Sequence, residues 1–128
     1  MITGVRKIIV PVDDQEQAKR FWTDTIGFEA TLDETYGDER WVEVTPPDRA
    51  LVLVLSLRTA DQPRGEVPDQ LPHSDVFFHC DRHPADVPGA DRARVKFDAP
   101  PAKMHFGWWA LFEDNHGTRY ALGQWDTE

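Results

Sequence analysis

The chain holds a single cysteine, Cys80, in 128 residues. Neither a disulfide framework nor a thiolate zinc cluster is open to it. Long apolar runs are missing too. The longest, Ala50-Leu51-Val52-Leu53-Val54-Leu55, falls far short of the roughly 18 residues a membrane-spanning helix needs. Met1 to Lys7 carries basic residues followed only by Ile8-Ile9-Val10, too short for a signal-peptide core. The expected compartment is the cytoplasm. Cations are scarce: 14 Lys and Arg against 23 Asp and Glu leave a net charge of −9. That balance argues against nucleic acid or an anionic membrane as partner and is compatible with a cationic ligand. What remains is an ordinary globular composition, 40% hydrophobic and 29% charged, which excludes wholesale disorder and fits one domain.

Local patterns give the layout. Val5 to Val12 is β-branched and apolar and reads as a strand. Asp13-Asp14 offers a helix N-cap, with Gln17 as capping-box partner of Asp14. Ala18, Phe21, Trp22, Thr25 and Ile26 share one helical face, and Gly27 stops the helix. Phe28 to Thr35 and Arg40 to Thr45 read as a hairpin around Tyr36-Gly37-Asp38, and Ala50 to Leu57 as a strand buried on both faces. The first module, about residues 5–57, is therefore βαβββ. A Pro- and Gly-rich linker covers about 58–72. The second module, about 73–125, predicts strands at Ser74–Cys80, Val95–Phe97, Trp108–Glu113 and Arg119–Gly123, with a hairpin turn at Asp114-Asn115-His116-Gly117. It repeats the first by pattern.

Two stretches carry a resemblance. Val12-Asp13-Asp14, Ala18, Phe21-Trp22 and Ile26-Gly27-Phe28 resemble the opening of the vicinal oxygen chelate superfamily, which includes glyoxalase I, ring-cleaving dioxygenases and bleomycin-resistance proteins. Phe106-Gly107-Trp108-Trp109-Ala110-Leu111-Phe112-Glu113-Asp114-Asn115-His116-Gly117 resembles its ending, with Asn-His where Pro-Asp is usual. The resemblance implies an α+β fold in which two βαβββ modules form a curved mixed sheet around a cavity. It also implies a homodimer. In the metal-dependent members each module supplies two ligands, and counting from the motifs puts those positions at Lys7, near Leu53, at Asp75 (or His73) and at Ala121. An ammonium, an aliphatic chain and a methyl are not metal donors, so no metal and no other cofactor is expected. Lys7 places a positive charge roughly where the metal's charge sits, with Asp75 as its candidate partner.

Asp75, Phe77 and His79 share one face of their strand by period two. His79 is either a general base or ligand anchor, held by Asp75, Glu43 or His105, or a partly buried, hydrogen-bonded histidine. Glu43 shares a face with Trp41 and reads as a solvated carboxylate or as a cavity acid, with solvation the weightier reading. Trp41, Trp108, Trp109 and His105 make an aromatic-rich set suited to a flat or cationic ligand, or to core and dimer contacts. Trp108 and Trp109 must point to opposite faces, so only one of them lines a given surface. Trp22 reads as core, and His73 and His116 as exposed.

Residues 81–94 stand where the second module should have a helix. Pro84, Pro88 and Gly89 predict a short or irregular one. A compensated shift of reading frame would produce such a stretch, and the gene sequence decides that point.

Two functions of different class follow. The first is a metal-independent small-molecule binder of the bleomycin-resistance type, with Lys7, Trp41, Glu43, Asp75, His79, His105, Trp108 and Trp109 as candidate ligand contacts. The second is a lyase or isomerase using Asp75, His79 or Glu43 as acid–base groups, with or without a displaced metal on His79, Glu43 and His105.

Overall fold

Isoleucine and valine dominate Lys7–Val12, and these β-branched residues form the first strand, β1. A computed structural model describes residues 1–61, 63–68, 71–74, 76–81, 95–97 and 99–125. The chain divides into two units, Met1–Pro63 and Arg64–Glu128. In the first, β1 is followed by helix α1 (Gln15–Arg20), one π-helical turn (Phe21–Thr25) and strands β2 (Glu29–Tyr36), β3 (Glu39–Thr45) and β4 (Val52–Leu57). The second holds β5 (Phe77–His79), β6 (Lys96–Phe97), β7 (Ala102–Met104), β8 (Gly107–Glu113) and β9 (Arg119–Trp125). None of the described helices is long and apolar enough to cross a membrane.

The first sheet runs in the order β1-β4-β3-β2, with β1 and β4 parallel and the other pairs antiparallel. Register fixes its two faces. Val10 and Leu55 are opposite each other, as are Val42 and Leu55, and Val44 and Leu53. These residues, with Val12, make one apolar face that is almost fully buried. The helical segment covers it with Ala18, Phe21 and Trp22, and Gln15 Nε2 ties the helix start to the carbonyls of Arg40 (2.8 Å) and Leu55 (2.9 Å).

Asp14 caps the helix as expected, accepting the Gln17 backbone N–H at 2.8 Å. The regular helix expected as far as Ile26 does not form. Ile26 N–H reaches back to the carbonyl of Phe21 and Gly27 N–H to that of Trp22, the i→i−5 pattern of a π turn. Widening the turn lets two consecutive bulky rings, Phe21 and Trp22, both face inward, their centroids 5.3 Å apart. Gly27, at φ 97°, then turns the chain through a conformation that other residues resist.

A polar network binds the helix to the hairpin. Arg40 grips both Asp33 carboxylate oxygens (2.9 and 2.7 Å) and Glu16 (2.9 Å), while Lys19 reaches Asp33 at 2.8 Å. The hydrogen bonds from Arg40 and Lys19 hold the Asp33 carboxyl far below the ordinary range. A depressed carboxyl contributes stability that is complete above its unfolded pKa of about 3.9 and declines as pH falls below it. Asp33→Asn is therefore expected to lower the melting temperature at pH 7 and to lose most of that effect near pH 2. Thermal melts across that range check it, and an equal effect at both ends contradicts it.

The second sheet follows the same plan, β5-β9-β8-β6, again with a parallel first pair. Its strands depart from expectation at three places. Among the described residues the strand expected over Ser74–Cys80 is only Phe77–His79, and the one expected over Val95–Phe97 is Lys96–Phe97. An unexpected short strand, β7, pairs with the start of β8 around a turn at His105-Phe106. Phe78, Phe112 and Tyr120 cluster on one face with centroids 5.5–6.1 Å apart. Neither His73 nor His116 is exposed as expected. His73 Nδ1 accepts the Arg119 backbone N–H at 2.9 Å, and the His116 backbone is held by Asp114 and Arg64. The segment expected to be an irregular helix, residues 82–94, lies outside the described residues.

Candidate functional site

Alternation sends Lys7, Ile9, Trp41, Glu43 and Val54 to the face of the first sheet opposite the helix. Lys7 sits across from Val52, and Glu43 across from Val54. This brings together side chains 36 residues apart: Lys7 Nζ donates to Glu43 Oε2 at 2.6 Å, and Trp41 Nε1–H donates to the same oxygen at 2.6 Å. Glu43 is not the solvated carboxylate expected; it is buried, at 7% exposure. Its two donors explain how a charge is tolerated there. Burial pushes the carboxyl upward, but the bonds from Lys7 and Trp41 outweigh it and the group titrates below its ordinary value. Lys7 pairs with Glu43, where Asp75 was the expected partner. At the β1 edge this face meets solvent, with the Lys7 side chain 38% and Ile9 61% exposed.

In the second unit Phe77, His79, Trp109 and Ala121 share a face by register. Phe77 and Trp109 meet edge to face at 5.5 Å. Phe106 joins Trp109 (6.4 Å) and Trp125 (5.5 Å), and His105 lies against Phe106. His79 and His105 are both exposed. Trp108 points to the opposite face, with Lys103 Nζ 5.8 Å from its ring centroid. So Trp109 belongs to the aromatic group, and Trp108, equally a candidate, does not. Phe77, Phe106 and Trp125 were missed as members of it. Phe77 was legible, being two residues from His79 on one strand. Phe106 was not, because it sits in the turn of the unexpected β7–β8 hairpin. Asp75 lies outside the described residues.

The positions that hold a divalent metal in metal-dependent vicinal oxygen chelate enzymes do not fit one here. Lys7 is a cation already engaged by a carboxylate, Ala121 offers a methyl, and Leu53, 1% exposed, lies on the helix-covered face. Among the described residues no three His, Cys, Asp or Glu come together to hold a metal ion, and Glu43 Oε2 is already engaged by Lys7 and Trp41.

Comparison with known proteins agrees with this architecture. The model of the Glyoxalase/Bleomycin resistance protein/Dioxygenase superfamily matches residues 4–122. The chain is 27% identical to the uncharacterized protein YetH of Bacillus subtilis (strain 168), over 95% of this chain and 98% of that one. Among solved structures it is similar to TnmS3, an antibiotic binding protein from Streptomyces sp. CB03234, at 30% identity and a TM-score of 0.79, covering 98% of both chains. A superfamily member from Sphaerobacter thermophilus DSM 20745 shares the fold, with a TM-score of 0.80 at 24% identity over 96% of this chain and 98% of that one.

Proposed function

The chain belongs to the Glyoxalase/Bleomycin resistance protein/Dioxygenase superfamily, and on that premise we propose that it is a metal-independent small-molecule-binding protein that sequesters an aromatic compound in the cytoplasm. The observation that carries this reading is the Lys7–Glu43–Trp41 arrangement. An internal ion pair and an indole stand on the sheet face where the metal-dependent members of the family keep a cation. The similarity to an antibiotic binding protein supports binding over turnover. So does the state of Glu43. A carboxylate held below its ordinary pKa is a weak proton acceptor, which disfavours it as a general base.

The same face favours an aromatic ligand over a cationic one. Within the aromatic set suited to a flat or cationic ligand, the Trp108 ring already faces Lys103, and the Glu43 carboxylate is paired with Lys7. Trp41, beside the ion pair, is left as the aromatic contact of this face. We further propose that the protein works as a homodimer, as the binders of this family do.

The test is a titration of intrinsic tryptophan fluorescence with a panel of aromatic antibiotics in the presence of EDTA. Saturable quenching by at least one compound is expected, weakened about tenfold or more in Trp41→Ala, the scale of one lost aromatic contact. Binding that appears only when Zn²⁺ or Ni²⁺ replaces EDTA overturns the metal-independent reading.

A further inference from the structure

We infer that the Lys7 ammonium is the polar anchor of this site and takes an oxygen acceptor borne by the ligand's aromatic ring (a carboxylate, phenolate or carbonyl), with Glu43 as its positioning residue. This rests on the binding reading above and specifies the chemistry of the ligand's polar end.

Three observations carry it. An ammonium has three N–H donors, and Glu43 Oε2 takes one, at 2.6 Å. The Lys7 side chain is 38% exposed and the Glu43 side chain only 9%, so Lys7 is the member of the pair open to a bound molecule. Lysine is ordinarily a mobile point charge on a flexible stem. Here it is held by a buried carboxylate that is itself fixed by the Trp41 indole through the same oxygen. A charge oriented before the ligand arrives loses less freedom on binding. The local field has the right sign as well. Arg6, like Lys7, acts to hold the Glu43 carboxyl below its ordinary value, in a protein whose overall charge is −9. A cationic ligand at Glu43 Oε2 would compete with the two donors already there.

The arrangement does not account for itself as a source of stability. Replacing a partly buried ion pair whole by uncharged residues is often neutral, because burying the carboxylate costs solvation. Trp41, adjoining the pair, supplies a ring edge or face for the aromatic part, and the exposed Ile9 extends the apolar surface along β1.

The experiment compares two probes of one shape and opposite charge, 2-naphthoate and 2-naphthylmethylammonium, by NMR titration in EDTA. Wild-type protein is expected to bind the naphthoate about tenfold or more tightly than the ammonium, the scale of one charge-assisted hydrogen bond. Lys7→Arg should keep that preference and Lys7→Met should abolish it. Because Lys7→Met leaves Glu43 without its cation, the double variant Lys7→Met/Glu43→Gln serves as a second, charge-free background, its folding checked by circular dichroism. It should bind both probes equally. Trp41→Phe keeps the ring but removes the bond that fixes Glu43, and should reduce the preference more than total binding. A preference for the naphthoate that survives in Lys7→Met and in Lys7→Met/Glu43→Gln, or binding of both probes without preference in wild type, overturns the anchor and leaves the binding reading in place. Binding of neither probe by wild type removes both.

Discussion

Trp22→Ala is expected to destabilise the protein by about 3–5 kcal/mol, the range for truncating a large buried aromatic. Trp22 is fully buried, with Phe21 edge-on at 5.3 Å and Phe28 stacked at 5.5 Å. Its removal opens a void between the π turn and the sheet that neighbouring rings cannot fill without moving the backbone. The melting temperature should fall by on the order of 10 °C or more. Trp22→Phe should cost much less, since it keeps most of the ring contact. Urea and thermal unfolding measure both. A loss below about 1 kcal/mol for Trp22→Ala, the level of ordinary surface changes, would contradict the packing described for the first unit. Trp22 serves the helix-covered face, so ligand affinity of the folded variant should stay close to that of wild type.

The second large effect concerns Lys7 and Glu43. Lys7→Met should destabilise by about 1–3 kcal/mol, because it leaves a buried carboxylate with only the Trp41 bond. Adding Glu43→Gln should recover most of that loss. A double-mutant cycle then reports coupling between the two side chains rather than two independent costs. The pH dependence follows from the depressed titration of Glu43. In wild type the pair's contribution is complete above the unfolded Glu value of about 4.3 and is lost as pH falls below it. In Lys7→Met the stranded carboxylate is relieved by protonation over the same acidic range. The gap between wild type and Lys7→Met should therefore be widest near neutral pH and close toward pH 3. Additive single losses, or a gap unchanged with pH, would mean that the pair is not formed in solution.

Much of this architecture was legible in the chain, for reasons that differ by element. The β-branched run of β1, the Asp14 cap and the Gly37 turn are local, so nearest-neighbour chemistry reveals them. The π turn is not local in that sense. Nothing in Phe21-Trp22-Thr23-Asp24-Thr25 distinguishes an i→i−5 bond from an i→i−4 one; the choice follows from burying two adjacent rings against the sheet. The strand β7 was hidden because Ala102-Lys103-Met104 lacks β-branched residues and pairs only because the following turn returns the chain along β8.

The site divides in the same way. Period two correctly put Trp41 with Glu43 and separated Trp108 from Trp109. It could not show that Glu43 is buried, because both faces of β3 are covered: Val42 and Val44 on one, Glu43 and Thr45 on the other. Nor does spacing along the chain reveal Lys7 as the partner. That needs the register of β1 on β4 and of β4 on β3, a property of the assembled sheet.

The most direct test of metal-independent binding is a ¹H–¹⁵N spectrum of the five tryptophan indoles, recorded in EDTA while an aromatic ligand from the fluorescence panel is added. The Trp41 indole proton, bonded to Glu43, should move progressively and saturate with the ligand, while that of Trp22, buried on the helix-covered face, should stay in place. A Trp41 signal that remains fixed until a stoichiometric divalent metal is supplied would contradict the account.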